Sequence, residues 1–292
     1  MNIRDKKIIL CRPEGGIKDK FSQIETCISY AEKFGRIVIV DTDYKNMFAF
    51  KGNFSDYFDS LSSNLILDAM PYYGQLEEMS VFPRELRGRI HAYSLLFDKQ
   101  SAMHFDSMTG VIISFKDKQY EEQILVHNQL GGSPYAKNFL KRVRLKNHLR
   151  TELNERIKIL GASYSAIHIR NTDIKTNYLH IITELEKVNF DKLFLATDSK
   201  LVLDKFQDVF NKKIISFSDI PENNEFPLHF YQGLNSYQRN KDAILDLLTL
   251  ALSKDLFIAK VHNVSWGEFS GFSLLAGNLK NDPVTLSNLI SQ

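Results

Sequence analysis

Between Lys7 and Asp41 the chain runs through an apolar segment, a glycine turn, an amphipathic stretch and a second apolar segment, an order that leaves few folds open. Lys7 to Arg12 suits a short buried strand, broken by Pro13-Glu14-Gly15-Gly16. Phe21, Ile24, Cys27, Ile28 and Ala31 recur at helical spacing, and Lys33-Phe34-Gly35 supplies a helix end with its C-terminal glycine. Arg36 to Asp41 reads as the next strand. Strand, turn, helix, strand within about 35 residues is a βαβ unit, which implies a parallel sheet. Its glycine turn lies at the carboxyl end of the first strand, where open α/β sheets bind ligands.

The rhythm returns after Gly161. Tyr164 to Arg170, Lys192 to Asp198, Lys213 to Phe217 and Asp255 to Ala259 read as strands, with helices over Tyr178 to Val188, Lys200 to Phe210 and Asn240 to Ser253. Residues 42 to 135 are less patterned; Leu65-Ile66-Leu67 and Val111-Ile112-Ile113 point to further strands and loops. Leu130-Gly131-Gly132-Ser133-Pro134 looks like a linker. Ala136 to Leu160 has no Pro or Gly, and its apolar spacing predicts one long, bent helix leading into a second unit. The expectation is an α/β chain of two Rossmann-like domains, residues 1–135 and 136–292, with a ligand cleft between them.

Composition narrows the function. Of 292 residues 43% are hydrophobic and 25% charged, the balance of a soluble globular chain. Lys and Arg number 37 against 35 Asp and Glu, too weak an excess for a protein that coats nucleic acid. Two cysteines, Cys11 and Cys27, exclude a disulfide scaffold or Cys-rich zinc module and read as core residues. The apolar run before Cys11 is too short for a signal peptide, and no segment approaches a membrane span, so the expected location is cytoplasmic, at most at the inner face of the membrane. Asn53-Phe54-Ser55 and Asn263-Val264-Ser265 match the glycosylation pattern, which carries no meaning without secretion. Lys137, Lys141, Arg142, Arg144, Lys146 and Arg150 form one basic stretch: either a solvated helix face or an attraction for an anionic acceptor or membrane surface, giving peripheral association through 137–150.

Four expected strand ends in the second unit carry polar groups: His168 and Arg170, Thr197-Asp198, Ser216-Phe217-Ser218, and His262-Asn263-Val264-Ser265. Parallel strands bring such tips side by side. His168 suits a hydrogen-bonded core histidine as well as a site, and Asp198 suits an N-cap. Arg170 closes a buried strand and must meet an anion or solvent, and its fork suits a phosphate. Asp41-Thr42-Asp43 has the spacing of an Asp-x-Asp metal site, but it directly follows a strand and reads as a strand-end turn, so no metal is expected. No Gly-x-Gly-x-x-Gly, Walker lysine loop or Gly-x-Ser-x-Gly elbow occurs, which lowers dehydrogenases, kinases and hydrolases.

Ala166-Ile167-His168-Ile169-Arg170-Asn171-Thr172-Asp173 resembles the His-x-Arg-Arg-x-Asp stretch of the α1,2-, α1,6- and protein O-fucosyltransferase superfamily. Leu193 to Ser199 is similar to its apolar strand ending Ala-Thr/Ser-Asp, and Asp242 to Ala251 followed by Ser270-Gly271-Phe272-Ser273 to its third landmark. Glu14-Gly15-Gly16, Ser29 to Asp41 and Asn53 to Phe58 resemble the opening of bacterial nodulation-type members. The resemblance spans about residues 8 to 276, with 60 to 130 poorly matched. It implies the GT-B architecture and an inverting, metal-free transfer of fucose from GDP-fucose to a glycan or lipid-linked saccharide, in polysaccharide biosynthesis, with no cofactor and no nucleic-acid partner. Arg170 would hold the β-phosphate and His168 line the nucleotide pocket. Asp246 would pair with guanine, or on the plainer reading with Arg239 or a backbone donor. Ser270 and Ser273 would bond phosphate, and Thr197 and Asp198 border the site. Glu14, in the Gly15-Gly16 turn, would be the catalytic base, with Asp19 second. One departure stands out: the second Arg of the motif is Asn171, so charge compensation falls to Lys175, Arg239 or Lys260. Transfer from another GDP-sugar, and a non-catalytic nucleotide-sugar- or glycan-binding protein, are the rival readings.

Overall fold

The computed structural model describes residues 2–45, 47, 49–222, 228, 235–262 and 267–291. The chain divides into two compact units, Met1–Lys146 and Asn147–Gln292. In the first, the elements are β1 (Ile8–Cys11), α1 (Ile17–Phe34), β2 (Ile37–Val40), β3 (Phe58–Ser60), β4 (Leu65–Ile66), α2 (Tyr73–Leu76), β5 (Val81–Phe82), β6 (Leu95–Asp98), β7 (Met103–Asp106), β8 (Ile124–His127), α3 (Ala136–Leu140) and β9 (Val143–Leu145). In the second they are α4 (Asn147–Leu160), β10 (Ser165–Ile169), α5 (Tyr178–Leu185), β11 (Leu193–Thr197), α6 (Lys200–Phe210), β12 (Ile214–Ile215), α7 (Ser236–Leu252), β13 (Asp255–Ile258), α8 (Gly271–Lys280) and α9 (Pro283–Ile290).

Each unit is built on a parallel sheet, in the order β4-β2-β1-β8-β5 and β12-β11-β10-β13 respectively. In both, the chain lays strands outward from the first and then returns to its other side. That makes the β1/β8 and β10/β13 gaps the topological switch points, whose carboxyl ends are the ligand-binding places of open α/β sheets. The four residues of β1 and of β2 are buried throughout, as strands covered on both faces require. Gly35 ends α1 in the left-handed conformation, its φ of 62° costing a glycine nothing, and its N–H bonds the Ala31 carbonyl. Cys11 and Cys27 are free and buried in this core.

The junction falls after Lys146 rather than at 135, and the long helix expected over Ala136 to Leu160 is three elements. Val143–Leu145 is a strand because Phe58, Asp59 and Ser60 pair with it antiparallel, and α3 belongs with the first unit through Phe139, which packs on Phe21, 4.8 Å between ring centroids. The Gly131-Gly132 segment is not a linker but a loop fastened to α1: Gln23 Nε2 donates to the Gly131 carbonyl (2.5 Å) and the Ser133 N–H to Ser22 Oγ (2.9 Å). Part of the basic stretch is engaged within the fold, Arg142 with Glu25 and Glu32, Lys146 with Asp59, and Arg150 with the Ser291 carbonyl. Val111-Ile112-Ile113 forms no strand, only an isolated bridge from Ile112 to Phe105. Among the described residues no helix is long and apolar enough to cross a membrane.

Candidate functional site

The switch point of the second sheet gathers most of the sequence-selected residues. His168 sits on β10 with α8 over it: its Nδ1 is 2.8 Å from Ser273 Oγ and its ring 4.8 Å from that of Phe272. Burial, helped by the nearby Arg170 charge, pushes the imidazole down to about 3, so His168 is neutral near pH 7. Ser270 is buried and caps α8, its Oγ accepting the Phe272 N–H at 3.3 Å.

Arg170 stands where β10 ends. Its Nε donates to Asp173 Oδ1 (2.8 Å) and its Nη2 to Asp173 Oδ2 (2.6 Å), a bidentate pair of side chains 24% and 37% exposed. A guanidinium has five N–H donors, so Asp173 fixes the fork while Nη1 has no hydrogen-bond partner among the described residues. The loop beneath is anchored by Asp198: Oδ1 accepts the Asn171 N–H (2.7 Å) and Oδ2 the Thr172 hydroxyl (2.6 Å). Burial raises the Asp198 carboxyl, and these two bonds oppose the rise. Asp198 is therefore a loop anchor here rather than a helix cap. Thr197 is buried at the end of β11, its hydroxyl accepting the Ser199 N–H at 3.3 Å. Thr176 Oγ1 donates to the Arg170 carbonyl (2.7 Å), and the His262 N–H to the Lys175 carbonyl (2.8 Å). Two loops, 170–176 and 259–262, are thus locked together at the ends of β10 and β13. Asn263-Val264-Ser265 lies outside the described residues.

Asp246 is placed elsewhere. Its Oδ1 accepts Arg156 Nη1 (2.9 Å) and its Oδ2 the Ser218 hydroxyl (2.7 Å), while Arg156 Nη2 also holds Asp242 (2.6 Å). The partner is Arg156 on α4, not Arg239 or a backbone donor. Burial lifts Asp246 to about 6 against the pull of Arg156. Each of its two oxygens thus carries one hydrogen bond, to Arg156 and to Ser218.

In the first unit, β1 continues its pairing past its end, the Arg12 N–H bonding the His127 carbonyl (2.7 Å) and the Glu14 N–H the Gln129 carbonyl (2.9 Å). This carries Glu14 to the β1/β8 switch point. Gly15 follows at φ 89°, and a Cβ there would come within 2.9 Å of Asp19 Oδ2, so glycine lets the turn close on the first turn of α1. Gly16, extended, precedes that helix without a side-chain cap. Glu14 is buried, and Tyr44 Oη donates to its Oε1 (2.5 Å). Burial raises the carboxyl; Lys20 and Tyr44 hold it back. Lys20 is fully buried and lowered to about 8, with Nζ on the Pro13 carbonyl (2.5 Å). Arg12 pairs with Asp41 (2.7 Å) in full burial, and Tyr73 donates to the same carboxylate (2.8 Å). Asp41 is thus committed to protein partners. Among the described residues no cluster of His, Cys, Asp or Glu could hold a metal.

Arg12, Lys20, Tyr44 and Asn128 were not singled out by the sequence reading. One signal existed for Lys20: it shares the Ile17, Phe21, Ile24 face of α1, the apolar stripe.

No family model matches the sequence, and no curated protein matches it. Solved structures do. The fucosyltransferase NodZ from Bradyrhizobium matches with a TM-score of 0.63 at 17% identity, over 94% of this chain and 92% of that one. NodZ α1,6-fucosyltransferase co-crystallised with GDP gives 0.62 at 18%, over 94% and 93%. POFUT1 in complex with GDP-fucose gives 0.55 at 12%, over 95% of each. The chain has the GT-B fold of these fucosyltransferases. At such identities the likeness establishes the GT-B fold alone, and the two parallel sheets with their switch points are its expression in this sequence.

Proposed function

We propose that this chain is an inverting, metal-independent glycosyltransferase that moves fucose from GDP-fucose to a glycan hydroxyl. The observation that carries the reading is Arg170, its fork half-exposed at the β10/β13 switch point on a loop fixed by Asp198. The GT-B likeness to structures solved with GDP and GDP-fucose supports the donor class.

In the reaction the acceptor oxygen bonds the sugar C1 and the bond from C1 to the β-phosphate oxygen breaks, its electron pair leaving with GDP. The hydroxyl proton passes to Glu14. Arg170 takes up charge growing on the diphosphate, the task a metal performs elsewhere. His168, being neutral, contributes hydrogen bonding rather than charge, and Ser270 and Ser273 place hydroxyls at the start of α8. Gly15 and Gly16 let the Glu14 turn approach the acceptor closely. Asp246, held by Arg156 and Ser218, keeps acceptor capacity on both oxygens for the guanine N1 and N2 donors. The acceptor is a glycan or lipid-linked saccharide, and within the 137–150 stretch Arg142 and Lys146 are neutralised by acidic partners.

Asn171, where the motif has arginine, favours a second reading, a protein that binds the nucleotide sugar without turning it over. Incubation with GDP-fucose and candidate acceptors separates the two. Acceptor-dependent GDP release supports transfer, and another GDP-sugar working in its place would change only the donor. GDP binding with no turnover supports the binding protein. Absence of GDP binding would refute both.

A further inference from the structure

The carboxyl end of the first sheet holds a buried polar assembly around Glu14. Asn128, directly after β8, is fully buried and donates through Nδ2 to Tyr44 Oη (2.8 Å) and to Tyr93 Oη (3.0 Å). With the amide donating to it, Tyr44 has its single proton left for Glu14 Oε1, the bond observed at 2.5 Å. The Tyr44 ring is pinned as well: the Arg12 guanidinium carbon lies 4.7 Å from its centroid and 5.3 Å from that of Tyr93, while Asp41 neutralises Arg12. Lys20 reaches the carbonyl of Pro13, one residue before Glu14, and attracts its carboxylate. One carboxylate oxygen is thus occupied by a donor that cannot turn. The other carries no hydrogen bond among the described residues.

Resting on the reading of Glu14 as base, we propose that Tyr44 is its positioning residue: locked as a donor by Asn128, the hydroxyl fixes Oε1 and leaves Oε2 to take the acceptor's proton. The charged and titratable groups around Glu14 are Tyr44 beyond β2 and Lys20 from α1, with Asp19 and Cys11 beside Lys20, Tyr93 beside Tyr44, and the Arg12–Asp41 pair behind the tyrosine. All but Tyr44 are unchanged in Tyr44→Phe, which also keeps the ring under Arg12.

A hydrogen bond to the charged form favours it, so removing the hydroxyl raises the Glu14 carboxyl further. The acid limb of the kcat/KM profile should move up by about one to two pH units, the worth of one bond to a carboxylate. At neutral pH kcat should fall roughly 10- to 100-fold from the loosened geometry, with GDP affinity unchanged. Asn128→Ala, which unlocks the hydroxyl without removing it, should move the limb the same way by less, and serves where Tyr44→Phe does not fold. Glu14→Gln is measured alongside. If it retains full turnover, the base reading fails. If Glu14→Gln abolishes turnover while Tyr44→Phe, or Asn128→Ala in its place, leaves the acid limb at the wild-type pH, the role of Tyr44 is overturned and the base reading stands.

Discussion

Arg170→Ala separates catalysis from folding most cleanly, because its structural role is small and its proposed chemical role large. Among the described residues its one ion pair is with Asp173, at 2.8 and 2.6 Å, between side chains 24% and 37% exposed. Such half-solvated pairs contribute about 0–1 kcal/mol, which for a domain of this size is a melting shift of no more than about 2–4 °C. Loss of one preorganised donor at a developing oxyanion instead costs about 10²- to 10³-fold in turnover. The expected result is a protein that melts almost as the wild type does and whose acceptor-dependent GDP release falls by that factor. Arg170→Lys should recover part of it, since an ammonium restores the charge but not the fork. Circular dichroism melts, GDP titration by calorimetry and initial rates of GDP release give the three readings on one preparation. Wild-type kcat/KM in a folded Arg170→Ala protein would refute the assignment of the donor phosphate to β10.

Arg156→Leu should destabilise the second unit by roughly 3–5 kcal/mol, because Asp242 and Asp246 lose the cation that both bind in burial. The folded state raises Asp246 to about 6 from 3.8, so its protonation favours folding: that contribution is complete below the unfolded value and is lost as pH rises through 6. The melting deficit of Arg156→Leu against wild type should therefore be smaller at about pH 5 than at about pH 8, and an equal deficit at both would place the charge elsewhere. His168, lowered to about 3, acts in the opposite sense, its contribution present above 6.5 and lost as pH falls toward 3; being common to both proteins, it cancels in the difference. Turnover should persist in excess EDTA. Loss on chelation with recovery on adding Mn²⁺ would return attention to Asp41-Thr42-Asp43.

What could be read from the sequence was local. β1, α1 and β2 declared themselves because apolar period, glycine cap and turn fall within one short window. β8 did not, although it is an inner strand of its sheet, between β1 and β5. Ile124–His127 is a four-residue apolar run that only pairing with Ile8–Cys11, far away in sequence, turns into a strand. β9 was absorbed into a helix because Phe139, Leu140 and Val143 keep helical spacing, and the antiparallel partner Phe58–Ser60 that decides otherwise is equally remote. The site divides in the same way. His168 and Ser273 meet as the motif order suggested. Tyr44 and Asn128, 84 residues apart in sequence, carry no motif and are joined only by the fold. Asp246 adds a further case: its place on an apolar helix demands a partner, but only the fold shows that this partner is Arg156, on another helix.

The replacement of the motif's second arginine by Asn171 has a physical counterpart in the same loop. Asn171 is buried, with its N–H on Asp198 Oδ1 and its amide nitrogen 3.5 Å from Ser199 Oγ, so a guanidinium at this position would stand beside the Asp198 carboxylate. Lys175 brings positive charge back to that point, its Nζ donating to the Asn171 carbonyl at 2.8 Å. Lys260 is a poorer substitute, its side chain 66% exposed and paired with Glu268. Loop 170–176 with its anchor thus sets Arg170 and Lys175 against Asp173 and Asp198, a balanced set to which a diphosphate adds only negative charge. Lys175→Met should then weaken GDP binding by about 10-fold, roughly one charge-assisted bond, and flatten its dependence on salt. Gln at the same position should do no better, because the charge rather than the reach is what the loop lacks. Calorimetric titration of GDP at low and high ionic strength reads both effects. Unchanged affinity in a folded Lys175→Met protein would show that the loop binds its anion through Arg170 alone.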